Sequence, residues 1–572
     1  MQKHPRLMKL VKIAIKPLKP LMRLFKKYYD KYKELLPDET YNSWATQNEE
    51  MCFVEKEQHF KPVVSIVCPA FNTDQFHLLE MVYSVVNQHY DNWELILVNA
   101  STNKRSKNNI DECAKIDNRI KVVDPGGNKG ISGNTNYGIK HATGEYVAFL
   151  DHDDMLHPCA IHAVVDRLQS ENKPEIIYTD EDKVNSDNTL YFEPNCKPGF
   201  SPDLLRNVNY INHLVVMKRT LLNQVGGLRA QCDGAQDYDL LLRAIDTKPE
   251  NASINHISRV LYHWRAAETS TASDISTKTY IFKAGIKAIS DHLERNNINA
   301  KVSSISNRPG WYKLIYEETP FSIIVGPVSR SNQTACALWL KDLIKSVKLS
   351  KIEIIIGNWY ELHPDNIKNR AKVIYIEHNN SSEFWQLAAK KVTKPVAVCF
   401  KMAALPTMDT NGLSHLAAVA AGSKNTVVAP IIFSDDRTIL DAGMVGSKYS
   451  PKHIFESYKF GKNTYFGSTE WVRNVSDLST NIIATRHENF SSLLESSHNY
   501  ARTNSLRAFT SSNNLEKNKI NFVVWSHTPF KYKGVLKPCG EDHFHNVQLF
   551  KYTPTVTMHV DNWGEGYERA KD

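Results

Sequence analysis

The run EYVAFLDHDDMLHP, Glu145 to Pro158, sets an apolar segment directly before Asp151, Asp153 and Asp154, with His152 and His157 beside them. The segment reads as a strand set into a core, with the carboxylates at its C-terminal end. Like charges this close repel one another unless a cation sits among them or water screens them well. The cluster is therefore either a divalent-ion site or a solvated acidic loop.

Upstream, PVVSIVCPAFN from Pro62 and WELILVN from Trp93 read as strands separated by FHLLEMVYSVVNQ, whose apolar residues recur at helical spacing. RIKVVD, EIIYTD and LVVMK continue the strand series, with CAIHAVVDRLQS as a helical stretch between them. Strand alternating with helix implies an α/β domain whose parallel sheet is covered on both faces. Ligands of such sheets gather at the carboxyl ends of strands, which is where Asp151 to Asp154 stand.

The chain also echoes itself. FSIIVGP at Phe321 to Pro327 repeats VSIVCP at Val64 to Pro69, and IEIIIGN at Ile352 to Asn358 repeats WELILVN at Trp93 to Asn99. Ser65 lies 29 residues before Glu94, and Ser322 lies 31 before Glu353. KPVAVCF at Lys394 to Phe400 then takes the place of EYVAFLD, which makes a divergent internal repeat. Phe384 to Met408 contains no Asp or Glu, so Phe400, Lys401 and Met402 stand where Asp151, His152 and Asp153 stand in the first copy.

At 572 residues the chain is too long for one ordinary domain, and its 42% hydrophobic and 23% charged residues are those of a soluble globular protein. Its net charge of +8 is concentrated: residues 1–33 carry eleven Lys/Arg against Asp30 alone, so the remainder sums to −2. That balance argues against a nucleic-acid binder spread over the body. The leader interleaves Leu, Met, Ile and Phe with basic residues, broken by Pro17 and Pro20, and lacks a signal peptide's apolar block. It suits an anionic membrane surface; a solvated basic tail is the other reading. Nothing is apolar for long enough to span a bilayer. The nine cysteines, none in a C-x-x-C pair, read as reduced core thiols of a cytoplasmic protein. Cys539, His543 and His545 fit no common zinc spacing.

VSIVCPAFN, GGNKGISGNTNYGIKHATGEYVAFLDHDD, IYTDEDKV, KPGFSPDLL, GAQDYDLLLRA and VLYHWRA follow one another in that order. Together they resemble the family-2 inverting nucleotide-sugar glycosyltransferases, whose α/β GT-A fold is the Rossmann-like nucleotide-diphospho-sugar transferase fold. Among these, bacterial O-antigen and rhamnan-type glycosyltransferases with two tandem domains are the most similar. The likeness is dense over about residues 60–310 and weak over 320–500, where DRTILDAGMVG adds to it. The expected organisation is a basic membrane-surface leader and linker (1–60), a catalytic GT-A domain (61–310), a degenerate GT-A-like repeat (320–505) and an irregular C-terminal extension (506–572).

Sugar transfer from a nucleoside diphosphate must neutralise a leaving diphosphate, which Mn²⁺ or Mg²⁺ held by carboxylates does. The resemblance gives Asp153 the metal and Asp151 a ribose or metal-water contact, with His152 beside them. The acceptor hydroxyl needs a general base, and the resemblance puts Asp237 of GAQDYDL in that role; an N-cap is the plainer alternative. Asp239 would cap or brace the helix that follows. In YHWR, His263 completes the metal or diphosphate site, while Trp264 offers an indole face and Arg265 a guanidinium; a core aromatic cluster is the competing reading. Pro69, Ala70, Phe71 and Asn72 are expected under the base, with Asn128, Gly130 and Asn136 shaping the loop before the catalytic strand.

One departure touches the base. Family members end the second strand with two acidic residues, whereas LVNAS has Asn99 and Ala100; an amide still offers a donor and an acceptor to a pyrimidine edge. The expected function is metal-dependent inverting transfer of a sugar, rhamnose first, to a bacterial surface polysaccharide such as O-antigen or capsule. Its partners would be a nucleotide-sugar donor, a lipid-linked or polysaccharide acceptor and the inner face of the cytoplasmic membrane, with no nucleic acid. A bifunctional polymerase using both copies and a non-catalytic glycan-binding scaffold are the alternatives. The full set Asp151, Asp153 and Asp237 speaks against the scaffold.

Overall fold

The computed structural model describes residues 39–48, 58–171, 173–247, 254–266, 279–305, 308–327, 336–340, 352–357, 372–400, 410–422, 425–445, 452–455, 458–464, 467–475, 478, 482–490 and 521–532. The basic leader, Lys401 and Met402, and Cys539, His543 and His545 lie outside the described residues.

The first sheet contains β1 (Val64–Ala70), β2 (Trp93–Asn99), β3 (Ile120–Val123), β4 (Tyr146–Phe149), β5 (Met155–Leu156), β6 (Ile176–Asn185), β7 (Tyr191–Asn195), β8 (Val215–Lys218) and β9 (Ile254–Ala266). Its order is β3-β2-β1-β4-β8-β6-β9-β5, with β7 on β6. Every residue of β1 and β2 is buried, as expected for strands covered on both faces. The helices of this part are α1 (Glu39–Asn48), α2 (Gln75–Val86), α3 (Lys104–Cys113), α4 (Gly130–His141), α5 (Ala160–Arg167), α6 (Pro202–Leu205), α7 (Arg219–Val225), α8 (Gln236–Asp246) and α9 (Thr279–Arg295), of which α4 packs on β1 and β2 and α3 on β2. Asp74 caps α2 by accepting from Phe76 N at 2.8 Å, which fixes where the chain turns from strand β1 into helix.

The sheet is mixed, not wholly parallel. β7 pairs with the second half of β6 (Glu181↔Asn195 to Val184↔Tyr191) and β8 with the first half (Ile176↔Met217 to Tyr178↔Val215), both antiparallel. The chain thus descends β6 in two steps. The loop between the steps, residues 196–214, leaves the sheet and carries much of the site described below.

A hairpin of β10 (Ala300–Ser304) and β11 (Tyr312–Tyr316) leads to the second sheet. That sheet holds β12 (Phe321–Val325), β13 (Ile352–Gly357), β14 (Lys372–Ile376), β15 (Val396–Phe400), β16 (Thr426–Ser434), β17 (Ile439–Asp441), β18 (Arg473–Val475), β19 (Ile482–Arg486) and β20 (Asn521–Tyr532), with helices α10 (Ser381–Lys391) and α11 (Thr410–Gly422). Its order, β14-β13-β12-β15-β19-β16-β20-β18 with β17 on β16, repeats that of the first sheet except at the last place, where β18 comes from between β17 and β19 while β5 comes from between β4 and β6. The antiparallel insertion recurs too, with β19 between β15 and β16. Register matches as well: Ser65 pairs with Glu94 and Ser322 with Glu353.

Two expectations need correcting. Irregular chain was expected beyond residue 505, but Asn521–Tyr532 is a strand that pairs in parallel with β16, because NFVVW is β-branched and aromatic enough to complete the sheet. Cysteines were expected to be reduced throughout; Cys68, Cys113, Cys196, Cys232, Cys336 and Cys399 are buried thiols, whereas Cys159 is disulfide-bonded. The two copies share a continuous apolar core in which Leu204, Leu205 and Tyr312 join Phe321 and Val472.

Candidate active site

A cavity opens at the carboxyl ends of β1 and β4, lined by Pro69, Ile131, Thr135, Asp151, Asn209, Asn212, His213, Gln236 and Asp237 among others. Each polar member arrives on a different device: Asp151 on the turn after β4, Asn209 to His213 on the loop between β7 and β8, and Asp237 on the first turn of α8.

On one side, Asp151, Asp154 and His213 each offer a ligand atom within 4.8 Å of the others. His213 Nε2 lies 3.7 Å from Asp151 Oδ2, and His213 Nδ1 lies 3.2 Å from Glu181 Oε2. Burial opposes a charge on His213, but the Glu181, Asp151 and Asp154 carboxylates outweigh it and raise the imidazole to about 9. Asp154 is fully buried; burial first, then Asp151 and Asp153, push its carboxyl well above the usual range. Tyr262 Oη donates to its Oδ2 at 2.6 Å and Arg265 N to its Oδ1 at 2.8 Å. Glu181 stays ionised: burial works against it, yet Lys197 and His213 bring it down to about 2.

On the other side, Asn209 Nδ2 donates to Asp237 Oδ2 at 2.9 Å. Asp237 lines the cavity and is exposed to solvent, and partial desolvation by the protein around it raises its carboxyl above the ordinary value. Asp239, fully buried, braces the helix: Arg229 Nε donates to it at 3.0 Å and Arg243 Nε at 2.9 Å.

The three consecutive acids of IYTDEDKV form a rack of histidine partners that the sequence reading missed. Asp180 holds His256 at 2.8 Å, Glu181 faces His213 at 3.2 Å and Asp182 holds His263 at 2.6 Å. Tyr41, from α1, donates to the second oxygen of Asp182 at 2.6 Å. The legible signal was three acids in a row within a strand, a pattern that is costly to bury unless each is paired.

The sequence-derived candidates divide accordingly. Asp151, Asp237 and Pro69 line the cavity. His263 is engaged by Asp182, and Asp153, its side chain 36% exposed, lies 3.7 Å from His152 Nδ1; neither belongs to the three-residue group. Arg265 is a brace rather than an open cation, with Nε on Asp153 O at 2.7 Å and Nη1 on Ser186 O at 3.1 Å. Trp264 lies beside the site, its ring 6.1 Å from that of His213. Asn99 spends its amide on Asp111 Oδ1 at 2.8 Å and Lys107 O at 3.0 Å. Asn72, at φ 50°, accepts from Thr102 N at 3.0 Å, while Ala70 is buried and Phe71 exposed beside it. Asn128 accepts from Gly130 N at 3.0 Å, and Asn136 pins α4 to Leu228 through N–H and C=O bonds of 2.8 Å each. These asparagines shape the walls without lining the cavity.

Residues 65–226 match the family model described as Glycosyl transferase family 2. The chain is 36% identical over 310 residues to the uncharacterized protein y4gI of Sinorhizobium fredii, a match over 54% of this chain and 34% of that one. It is 30% identical over 449 residues to the O-antigen biosynthesis protein RfbC of Myxococcus xanthus, covering 76% of this chain and 34% of that one. The chain therefore spans about a third of the length of these curated relatives. A mannosyltransferase from Pyrobaculum calidifontis, solved with GDP-Man and Mn²⁺, matches at 15% identity and a TM-score of 0.32 over 44% of this chain and 71% of that one, a level that carries no argument. With its mixed nine-stranded sheet and the family match over residues 65–226, the first part of the chain is similar to glycosyl transferase family 2.

Proposed function

We propose that residues 61–310 transfer a sugar, with inversion, from a nucleoside diphosphate donor to a growing bacterial surface polysaccharide, O-antigen or capsule. One observation carries the reading: Asp237, Asp151 and His213 line one cavity at the carboxyl ends of β1 and β4, with buried Asp154 grouped with the last two. The match of residues 65–226 to the family model and the likeness to an O-antigen biosynthesis protein support it.

Two carboxylates and an imidazole that gives up its proton would hold Mn²⁺ or Mg²⁺, and a buried Asp154 close to Asp151 and Asp153 is a site that calls for a cation. When bound, the ion neutralises charge on the leaving diphosphate. Glu181 orients His213 towards Asp151. Asp237 takes the proton of the acceptor hydroxyl at its carboxylate while Asn209 holds one oxygen still, and its raised pKa makes it a stronger base than an ordinary carboxylate. Rhamnose is the first donor sugar to test. The leader would lie against the inner face of the cytoplasmic membrane by charge and shallow apolar insertion; among the described residues no helix is long and apolar enough to cross a membrane. The second copy, without carboxylates from Phe384 to Met408, would support the first and transfer no sugar itself.

The test is a screen of nucleotide sugars with Mn²⁺, wild type against Asp237→Asn. Consumption of one donor by wild type, cut roughly 10²-fold in the variant at unchanged donor affinity, is expected. No donor consumed, or equal rates, would sink the reading. The complete second sheet favours one rival, a bifunctional polymerase, which transfer surviving in Asp151→Asn/Asp237→Asn would establish.

A further inference from the structure

The loop 196–214 delivers Asn209, Asn212 and His213 to the cavity. Near its start, buried Lys197 donates from Nζ to Glu181 Oε2 at 3.1 Å and to Ile211 O at 2.7 Å, closing the loop on itself. Its middle is gripped by the second copy. Asn474, on β18, accepts from Asp203 N at 3.2 Å through Oδ1 and donates from Nδ2 to Asp203 Oδ2 at 2.9 Å. Asp203 lies in α6, whose Leu205 carbonyl accepts from Tyr238 Oη, and Tyr238 is the neighbour of Asp237 in α8. A second strut flanks the grip: Arg308, just before β11, donates from Nε to Glu470 at 3.0 Å, and Tyr312 N donates to Asn207 O at 2.8 Å. A two-way amide lock fixes both position and orientation of the backbone it holds, which apolar packing alone does not.

We propose that Asn474 is a positioning residue, through which the degenerate second copy holds Asp203 and so sets the loop that brings Asn209 to Asp237 and His213 to Asp151. Its effect on turnover rests on the transfer reading above; its effect on the loop does not.

In the full chain, Asn474→Asp removes the Nδ2 donor and sets two carboxylates face to face, leaving only Asp203 N to donate across. The exchanged pair Asn474→Asp/Asp203→Asn restores a donor and an acceptor on opposite sides. Faster amide hydrogen exchange across residues 204–213 and about tenfold slower turnover are expected in the single variant, at a wild-type thermal midpoint. Both should return to within about twofold in the exchanged pair. Unchanged exchange, a loosened loop with unchanged turnover, or failure of the exchanged pair to restore either quantity would overturn the proposal. If Asn474→Asp does not fold, Asn474→Ser carries the same comparison. Should wild type consume no donor, the transfer reading falls separately, and Mn²⁺ affinity read by electron paramagnetic resonance replaces turnover: weakened in the single variant and recovered in the pair, or else the proposal fails.

Discussion

Glu353 does in the second sheet what Glu94 does in the first. Ser65 Oγ donates to Glu94 at 2.6 Å and Thr143 N at 2.6 Å; Ser322 Oγ donates to Glu353, and Thr393 N at 2.7 Å. Lysines of the edge strands close both clusters, Lys121 at 2.5 Å and Lys372 at 3.6 Å. The carboxylate ties the central strand to its neighbour and to the turn before the strand on the other side, so the device serves the sheet itself and survives where the acidic cluster of the first copy has gone. Removing it strands several buried donors, and Glu94→Ala or Glu353→Ala should each cost about 3 kcal/mol in urea unfolding. Burial opposes ionisation of Glu94, but Lys121, Ser65 and Thr143 bring it to about 2 from 4.5. Its contribution is therefore complete above pH 4.5 and lost as pH falls towards 2, a slope that Glu94→Gln should remove.

These same residues show what the sequence could disclose. The repeat was legible because Ser65, Glu94, Ser322 and Glu353 sit in short strands whose spacing is conserved between the copies, and strand pattern survives divergence. Asp151 was singled out by the acidic run after β4 and Asp237 by the family resemblance, and both line the cavity. His213 was not: it stands in the unremarkable NHLVV and meets Asp151 only because the chain descends β6 in two steps. The choice between Asp153 and Asp154 was equally hidden, since which carboxylate turns inward depends on Tyr262 and the Arg265 backbone, more than 100 residues downstream. Asn99 reads as a contact to the base until its partners, Asp111 Oδ1 and Lys107 O, are seen.

Glu181 should set the metal affinity through His213. A carboxylate on one ring nitrogen fixes which nitrogen faces the ion, and losing such a partner typically weakens binding 10–100-fold. Glu181→Gln should lower Mn²⁺ affinity by roughly tenfold and His213→Ala by more. Calorimetric titration of the three proteins decides it; equal affinities would remove His213 from the site.

The same pair fixes a pH window for stability. His213 is raised from 6.5 to about 9, so its contribution is full below pH 6.5 and fades as pH rises through 9. Glu181 is lowered from 4.5 to about 2, so its contribution is full above pH 4.5 and fades below it. The difference in unfolding free energy between wild type and Glu181→Gln should therefore be greatest between pH 4.5 and 6.5 and shrink on either side. A difference that is flat from pH 5 to 9 would count against a protonated His213.

Tyr41 anchors the first described helix. Its hydroxyl completes the chain Tyr41–Asp182–His263, two bonds of 2.6 Å in the protein interior. Tyr41→Phe keeps the ring and removes one bond to a charged group, which should cost roughly 2 kcal/mol. Asp182→Asn should cost more, because it disturbs both partners. Thermal unfolding of the two variants gives the order, and a Tyr41→Phe protein as stable as wild type would show that the helix is held by its ring alone.

The last comparison separates two assignments of the ion. Asp153 is the ligand that the family resemblance suggests, but its side chain is 36% exposed and lies near His152, while Asp154 is the buried member of the group with Asp151 and His213. Asp154→Asn keeps the side chain's shape and an acceptor for the Arg265 backbone, with its Nδ2 donating to Tyr262 Oη instead, but removes the charge that a cation would balance. It should therefore abolish Mn²⁺ binding while the fold, relieved of a buried carboxyl beside two others, is not destabilised. Asp153→Asn should weaken binding several-fold through its field alone, since at an exposed position water screens it. If the ranks reverse, with Asp153→Asn losing the ion and Asp154→Asn keeping it, the group Asp151–Asp154–His213 is a structural network, and the ion would sit further out over Asp151 and Asp153.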